Sequence, residues 1–130
     1  MNSNYNLIAM GNIIDTVSIE GRKGVQKVRA LFDTGSDVGR ITPELAEELG
    51  LALITKGAEM NLPDKKETKT DIVGGMLVIK GCRFPAFFAI LKVRENDAPA
   101  GIGHLTMQAM GIELDSQKES YTVRCNLPTL

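Results

Sequence analysis

The chain has 130 residues and a mass of 14.1 kDa, the usual size of one domain, so we expect a single domain over residues 1–130. Its 15 Lys and Arg residues and 16 Asp and Glu residues give a net charge of −1, which excludes the broad positive field that nucleic-acid binding normally needs. No apolar run reaches the roughly 18 residues of a membrane span, and the start has no signal-peptide pattern. We therefore expect a cytoplasmic protein with neither nucleic acid nor membrane as a partner.

The first half of the chain predicts a β-hairpin followed by a short helix. Residues 13–20 and 25–32 are rich in β-branched and alternating apolar residues, and the segment GRKG between them suits a turn. Thr42 is a suitable N-cap for a helix of about two turns over Pro43–Leu49. Gly50 is placed to end that helix.

The second half predicts two more hairpins, a second short helix and two closing strands. The order of hairpin, apolar strand, glycine turn, short helix and glycine recurs in both halves, which hints at an internal duplication. Pro85 is expected at an edge or a bulge because it cannot donate a backbone hydrogen bond. The predicted strands are residues 58–62, 68–73, 76–79, 84–93, 112–115 and 121–125, and the helix covers residues 104–110 before Gly111.

The cysteine and histidine content excludes a zinc site of the usual kind within one subunit. Cys82 and Cys125 lie 43 residues apart, there is no CxxC motif, and His104 is the single histidine. In a reducing compartment thiols stay free. We therefore expect two reduced thiols rather than a disulfide, and no metal.

The segment LFDTGSD at residues 31–37 is the candidate for chemistry. An apolar strand delivers Asp33 directly into a glycine turn, where burial and backbone amides act on its carboxylate. The alternative is an ordinary turn in which Asp33 or Asp37 accepts hydrogen bonds from nearby backbone donors. The tripeptide Asp-Thr-Gly is too short to decide between the two.

The wider context resembles the retropepsin-like aspartic proteases. The stretch LFDTGSDVGRITPELAEELGL is similar to their active-site segment, and residues 102–112 are similar to the family's second signature, an apolar-glycine turn that opens a helix closed by glycine. The hairpin around residues 62–67 lies where the family carries a flap over the substrate. This resemblance covers roughly residues 10–125 and implies an all-β closed barrel with one or two short helices, assembled as a homodimer.

The resemblance also implies an activity, that of an aspartic endopeptidase acting on an extended polypeptide. Two close carboxylates that share a proton can activate water and protonate a peptide carbonyl without a metal or a cofactor. Since this chain has one Asp-Thr-Gly turn, the second carboxylate is expected from Asp33 of another copy. Thr34 is expected to hydrogen-bond across the dimer axis, Gly35 to allow close approach, and Ser36 to donate its hydroxyl to Asp33.

Other residues are assigned by their places in the motif. Asp37 and His104 are expected to form a hydrogen-bonded pair, with a solvated His104 as the alternative. Gly101 departs from the family, which usually has a bulky apolar residue there. The flap assignment competes with a solvated hairpin tip. The residues expected to bind substrate are Asp37, Val38, Leu62, Pro63 and Asp64.

Two alternatives to a homodimeric protease remain open. The first is a catalytically silent dimeric β-module that keeps the fold and binds peptides or acts as a scaffold. The second is a regulatory domain whose partner supplies a non-identical half. In each case residues 5–10 and 121–125 have the character of exposed strands that pair with another chain.

Overall fold

A computed structural model describes residues 13–62 and 66–125, which form nine β-strands and two short helices. The predicted helices are confirmed at both ends. The strands are β1 (Ile14–Gly21), β2 (Gly24–Phe32), β3 (Gly39–Ile41), β4 (Ala52–Asn61), β5 (Glu67–Ile79), β6 (Cys82–Ile90), β7 (Ala100–Ile102), β8 (Ile112–Asp115) and β9 (Ser120–Val123). The helices are α1 (Pro43–Leu49) and α2 (His104–Met110).

Six strands close into a barrel. Their order is β1-β2-β7-β3-β6-β5, and β1 pairs again with β5 from Ser18 opposite Val78 to Glu20 opposite Met76. Closure satisfies the edges of these strands, which an open sheet would leave unpaired. Strand β4 extends the sheet beyond β5, and β8 and β9 form a separate hairpin. The predicted closed all-β barrel with short helices is confirmed.

The barrel is filled by alternate side chains of its strands. In β2, Val28, Ala30 and Phe32 are buried, as the alternation along this strand predicts, and Val17 and Ile19 of β1 join them. Phe32 is fully buried immediately before Asp33. The strand that leads to the candidate catalytic residue is therefore held by the core.

Each helix ends as its sequence predicts. The N–H of Leu45 donates to the Thr42 hydroxyl at 3.3 Å, which caps the start of α1. Gly50 and Gly111 end the two helices in the left-handed conformation, with φ of 65° and 69°. Buried side chains of α1, including Leu49, pack against the β1–β2 hairpin.

The two halves of the barrel match, in agreement with the suggested duplication. The hairpin β1–β2 with β3 and α1 corresponds to the hairpin β5–β6 with β7 and α2. Exchanging the halves converts the parallel pair β2–β7 into the parallel pair β3–β6. The antiparallel pair β3–β7 maps onto itself, so Arg40 and Gly101, which face each other there, lie beside the pseudo-twofold axis.

Residues 68–73 and 76–79 belong to one strand rather than the two that were predicted. Strand β5 is 13 residues long and pairs with β4 at its start and with β6 along most of its length. Gly75 lies within this strand and does not end it. It marks the place where β1 approaches closely, since a Cβ at this position would lie 2.7 Å from the Glu20 carbonyl oxygen. Pro85 lies opposite Met76, where β6 has a neighbour on one side only, since β3 pairs with it from Phe88 onward.

Cys82 and Cys125 form a disulfide, so the prediction of two reduced thiols is wrong. Their Cα atoms lie 5.4 Å apart although the residues are 43 positions apart in sequence. The N–H of Cys125 donates to the Met110 carbonyl oxygen, which ties the segment after β9 to the end of α2. The prediction rested on an assumed reducing compartment and on the spacing of the two cysteines in the sequence. Neither indicates that Cys125 lies beside Cys82 in the fold.

Within residues 13–62 and 66–125, neither helix is long and apolar enough to cross a membrane.

Candidate active site

Asp33 lies at the point where β2 leaves the barrel. Its backbone N–H donates to the Ile102 carbonyl oxygen at 3.0 Å, just as the N–H of Phe32 donates to the Ile13 carbonyl oxygen at 2.9 Å. The barrel therefore holds the backbone of Asp33 from β7 on one side. The Asp33 side chain is half-buried.

The turn after Asp33 is organised around its carboxylate. The N–H of Gly35 donates to Oδ1 of Asp33 at 3.0 Å, and the N–H of Ser36 donates to the Asp33 carbonyl oxygen at 3.3 Å. No group in the described part of the chain donates a hydrogen bond to Oδ2. Thr34 and Gly35 are exposed at the tip of the turn. The loop thus orients one carboxylate oxygen and leaves the other available.

Ser36 does not hydrogen-bond to Asp33, so the role predicted for its hydroxyl is wrong. Oγ of Ser36 donates to the Val38 carbonyl oxygen at 2.6 Å. A hydroxyl has one proton and cannot donate it to both acceptors at once. Ser36 therefore stabilises the backbone between the Asp33 turn and β3.

The side-chain pair predicted between Asp37 and His104 is also wrong. Among the described residues no hydrogen bond or ion pair joins the two side chains, and both are exposed. The contact runs instead through the backbone, where the N–H of His104 donates to the Ser36 carbonyl oxygen at 2.6 Å and that of Leu105 to the Asp37 carbonyl oxygen at 3.2 Å. Two amides at the start of α2 therefore hold the loop that follows Asp33.

Gly103 makes this backbone contact possible. A Cβ at Gly103 would lie 2.5 Å from the Val38 carbonyl carbon and 2.6 Å from the Asp37 carbonyl oxygen. Any side chain there would push the loop away from α2. Gly103, which belongs to the second sequence signature, thus lets α2 contact the Asp33 loop because it has no side chain.

A cavity of about 570 Å³ contains Asp33 and most of the predicted site residues. Thr34 and His104 are not in its lining. Pro63 and Asp64 lie outside the described residues, as do residues 5–10. The predicted residues that line the cavity are Asp33, Gly35, Ser36, Asp37, Val38 and Leu62.

The β4–β5 hairpin forms one wall of this cavity. Met60 and Leu62 approach from the end of β4, and Thr68 from the start of β5. The N–H of Leu62 donates to the Lys66 carbonyl oxygen at 2.9 Å, which keeps the hairpin paired toward its tip. The hairpin that resembles a flap therefore borders the same space as Asp33.

Sequence reasoning missed the support beneath Asp33. The ring of Tyr121 lies 4.4 Å from that of Phe32, and its hydroxyl donates to Oδ2 of Asp15 at 2.6 Å. Nζ of Lys80 lies 4.0 Å above the same ring and donates to the Tyr121 carbonyl oxygen at 2.7 Å. Burial, with a further contribution from Asp15, raises the pKa of Tyr121. No local sequence pattern predicts these contacts.

Sequence reasoning also missed two charged residues in the cavity lining, Arg40 and Glu59. For Arg40 the alternation of side chains along β3 could have indicated its direction, because Gly39 and Ile41 on either side of it are buried.

In the described ranges, no three His, Cys, Asp or Glu side chains lie close enough to hold a metal ion. A smaller, more apolar cavity of about 370 Å³ beside Ile54 and Phe87 includes none of the predicted site residues.

Comparisons with known proteins agree with this geometry. A family model described as aspartyl protease matches residues 16–108. The fold is similar to the crystal structure of the retroviral protease-like domain of Ddi1 from Leishmania major, with a TM-score of 0.59 and 15% identity over 87% of this chain and 89% of that one. No curated protein matches the sequence. The matched segment includes the Asp-Thr-Gly loop, the β4–β5 hairpin and most of α2, and the chain therefore belongs to the aspartyl protease family and has a retropepsin-like fold.

Proposed function

We propose that the protein is an aspartic endopeptidase that works as a homodimer and hydrolyses peptide bonds of an extended polypeptide. The observation that carries the proposal is the exposed Asp-Thr-Gly turn beside a cavity, with Asp33 oriented by the N–H of Gly35. Each chain then contributes one half of the catalytic centre. Cytoplasmic location remains part of the proposal, although a disulfide is unusual in that compartment.

The chemistry needs a second carboxylate beside Asp33. One carboxylate takes a proton from water while the other, protonated, donates to the carbonyl oxygen of the scissile bond. Asp37 and Glu59 also line the cavity, but neither lies in a second Asp-Thr-Gly turn. The exposed tip formed by Thr34 and Gly35 leaves room for an identical turn across a twofold axis.

An extended peptide suits the shape of the site. The cavity lies between the Asp33 loop and the β4–β5 hairpin, and apolar side chains such as Val38, Met60 and Leu62 line it. A peptide in this position would pair its backbone with the surrounding strands, and the hairpin would exclude water around the scissile bond.

The first experiment is cleavage of an unfolded protein or a peptide library at about pH 4–6, where one carboxylate of such a dyad is protonated. We expect Asp33→Asn to lower the rate by about 10²–10⁴-fold, because it removes the general acid and base. Asp97→Asn is the matched control, since Asp97 is exposed in the loop between β6 and β7 and outside the cavity. Equal cleavage by wild type and Asp33→Asn would refute the proposal.

A mixing experiment tests the shared site directly. Equal amounts of wild type and Asp33→Asn, exchanged to equilibrium, should give about half the activity per wild-type chain, because mixed dimers hold one catalytic carboxylate. An unchanged activity per wild-type chain would show that one chain suffices. Peptide binding without cleavage by the wild-type dimer would favour the silent β-module instead.

A further inference from the structure

Arg40 is a charged residue in the candidate cleft for which the dyad chemistry has no use. It is the central residue of β3, the strand that follows the Asp33 loop, and lies opposite Gly101 of β7 and Ala89 of β6. Its neighbours Gly39 and Ile41 are buried in the barrel, whereas Arg40 lines the cavity that contains Asp33. Alternation along the strand therefore turns this side chain toward the cleft.

The guanidinium of Arg40 lies over Gly101. A Cβ at Gly101 would be 2.9 Å from Nη1 of Arg40 and 3.1 Å from its Cγ. The space that a larger residue at position 101 would occupy is thus taken by Arg40. This contact gives a physical reason for the glycine at a position where the family usually has a bulky apolar residue.

Nη1 of Arg40 lacks a partner. This atom is buried and makes no hydrogen bond, and no ion pair of the described residues includes Arg40. Buried polar groups in native proteins are nearly always hydrogen-bonded, so an unpaired one calls for an explanation. Because Arg40 lines the cavity, a ligand bound there that brings its own acceptor would supply the missing partner once the guanidinium turns toward it.

The chemistry of the guanidinium indicates the kind of ligand. It stays positively charged at every accessible pH and presents paired donors that match a carboxylate. We infer that Arg40 forms a subsite that selects a substrate residue with a carboxylate side chain, Asp or Glu; this inference rests on the proposed peptidase function. Arg40 would thus determine specificity without taking part in bond cleavage.

The test compares peptide substrates that are identical except for Glu or Gln at one position, chosen by screening each position of a cleaved peptide. We expect the wild-type enzyme to prefer Glu at one position by at least about tenfold in kcat/KM, as for hydrogen bonds to a charged group. The preference should fall as salt is added. Arg40→Met should bring the Glu-to-Gln ratio close to one, and Arg40→Lys should restore part of it.

Controls separate this inference from the proposed function. Arg94→Met removes a positive charge from the exposed loop between β6 and β7, outside the cavity, and should keep the Glu preference. Binding of the Glu and Gln peptides to Asp33→Asn, with and without Arg40→Met, is measured by calorimetry and needs no catalysis. Circular dichroism verifies that each variant is folded.

The possible results of these experiments distinguish failure of the proposed peptidase function from failure of the Arg40 subsite. A wild-type protein that cleaves nothing but binds the Glu peptide more tightly through Arg40 would refute the proposed function and support the subsite. Cleavage with no Glu preference at any position, or a preference that Arg40→Met leaves intact, would overturn the subsite while the peptidase stands. Absence of both cleavage and peptide binding would overturn both.

Discussion

The disulfide between Cys82 and Cys125 is predicted to be a major source of stability. It links the start of β6 to the segment after β9 across a separation of 43 residues. Closing a loop of that length in the unfolded chain removes entropy worth about 4 kcal/mol at 25 °C. For a chain of 130 residues this corresponds to a fall in Tm of roughly 15 °C on reduction.

Urea unfolding followed by circular dichroism, at one protein concentration, checks this value. The oxidised wild type is compared with the reduced wild type, which keeps both sulfur atoms and so isolates the covalent link. Cys82→Ala with Cys125→Ala should lose slightly more, because the Cys82 side chain is buried. A difference below about 1 kcal/mol between the oxidised and reduced protein would refute the reasoning, since loop closure alone predicts several times that. So would two titratable thiols in the unfolded, unreduced protein.

Two further predictions concern single hydroxyl groups. Because Ser36 donates to Val38 and not to Asp33, Ser36→Ala should cost about 1 kcal/mol of stability and leave the acidic limb of the pH-rate profile in place; a displaced limb would contradict the structure. Tyr121→Phe should cost about 1 kcal/mol at neutral pH, because it removes the hydrogen bond to Asp15. Burial raises the pKa of Tyr121, so the native state keeps a proton that the unfolded chain releases, and wild-type stability should fall more steeply than that of Tyr121→Phe as the pH rises above about 10. Urea unfolding between about pH 8 and 11 measures both slopes, and parallel slopes would refute this assignment.

Much of the fold could be predicted from local signals in the sequence. Thr42 and Gly50 bound α1 where their capping preferences place the ends of a helix. The first hairpin and the apolar approach to Asp33 follow from strand periodicity and turn residues within a few positions. These features depend on backbone stereochemistry and on neighbours in sequence, so a single sequence is sufficient to predict them.

The errors concern partners that lie far apart in the chain. Cys125 returns to Cys82 because the segment after β9 is tied to the end of α2, and no spacing rule describes that path. His104 reaches the loop through its backbone rather than its side chain, because Gly103 lets α2 approach so closely. The geometry of these contacts was set by packing around the barrel.

The amino-acid sequence by itself determined the family, the short helices, the hairpins and the position of Asp33 at the end of an apolar strand. The tertiary structure decided which acceptor Ser36 uses and how Arg40 lies over Gly101 beside the pseudo-twofold axis. The physical reason is that turns and caps are decided by the conformations of a few adjacent residues. Contacts across the barrel depend instead on closure and on the register of strands from both halves, which a one-dimensional pattern does not contain.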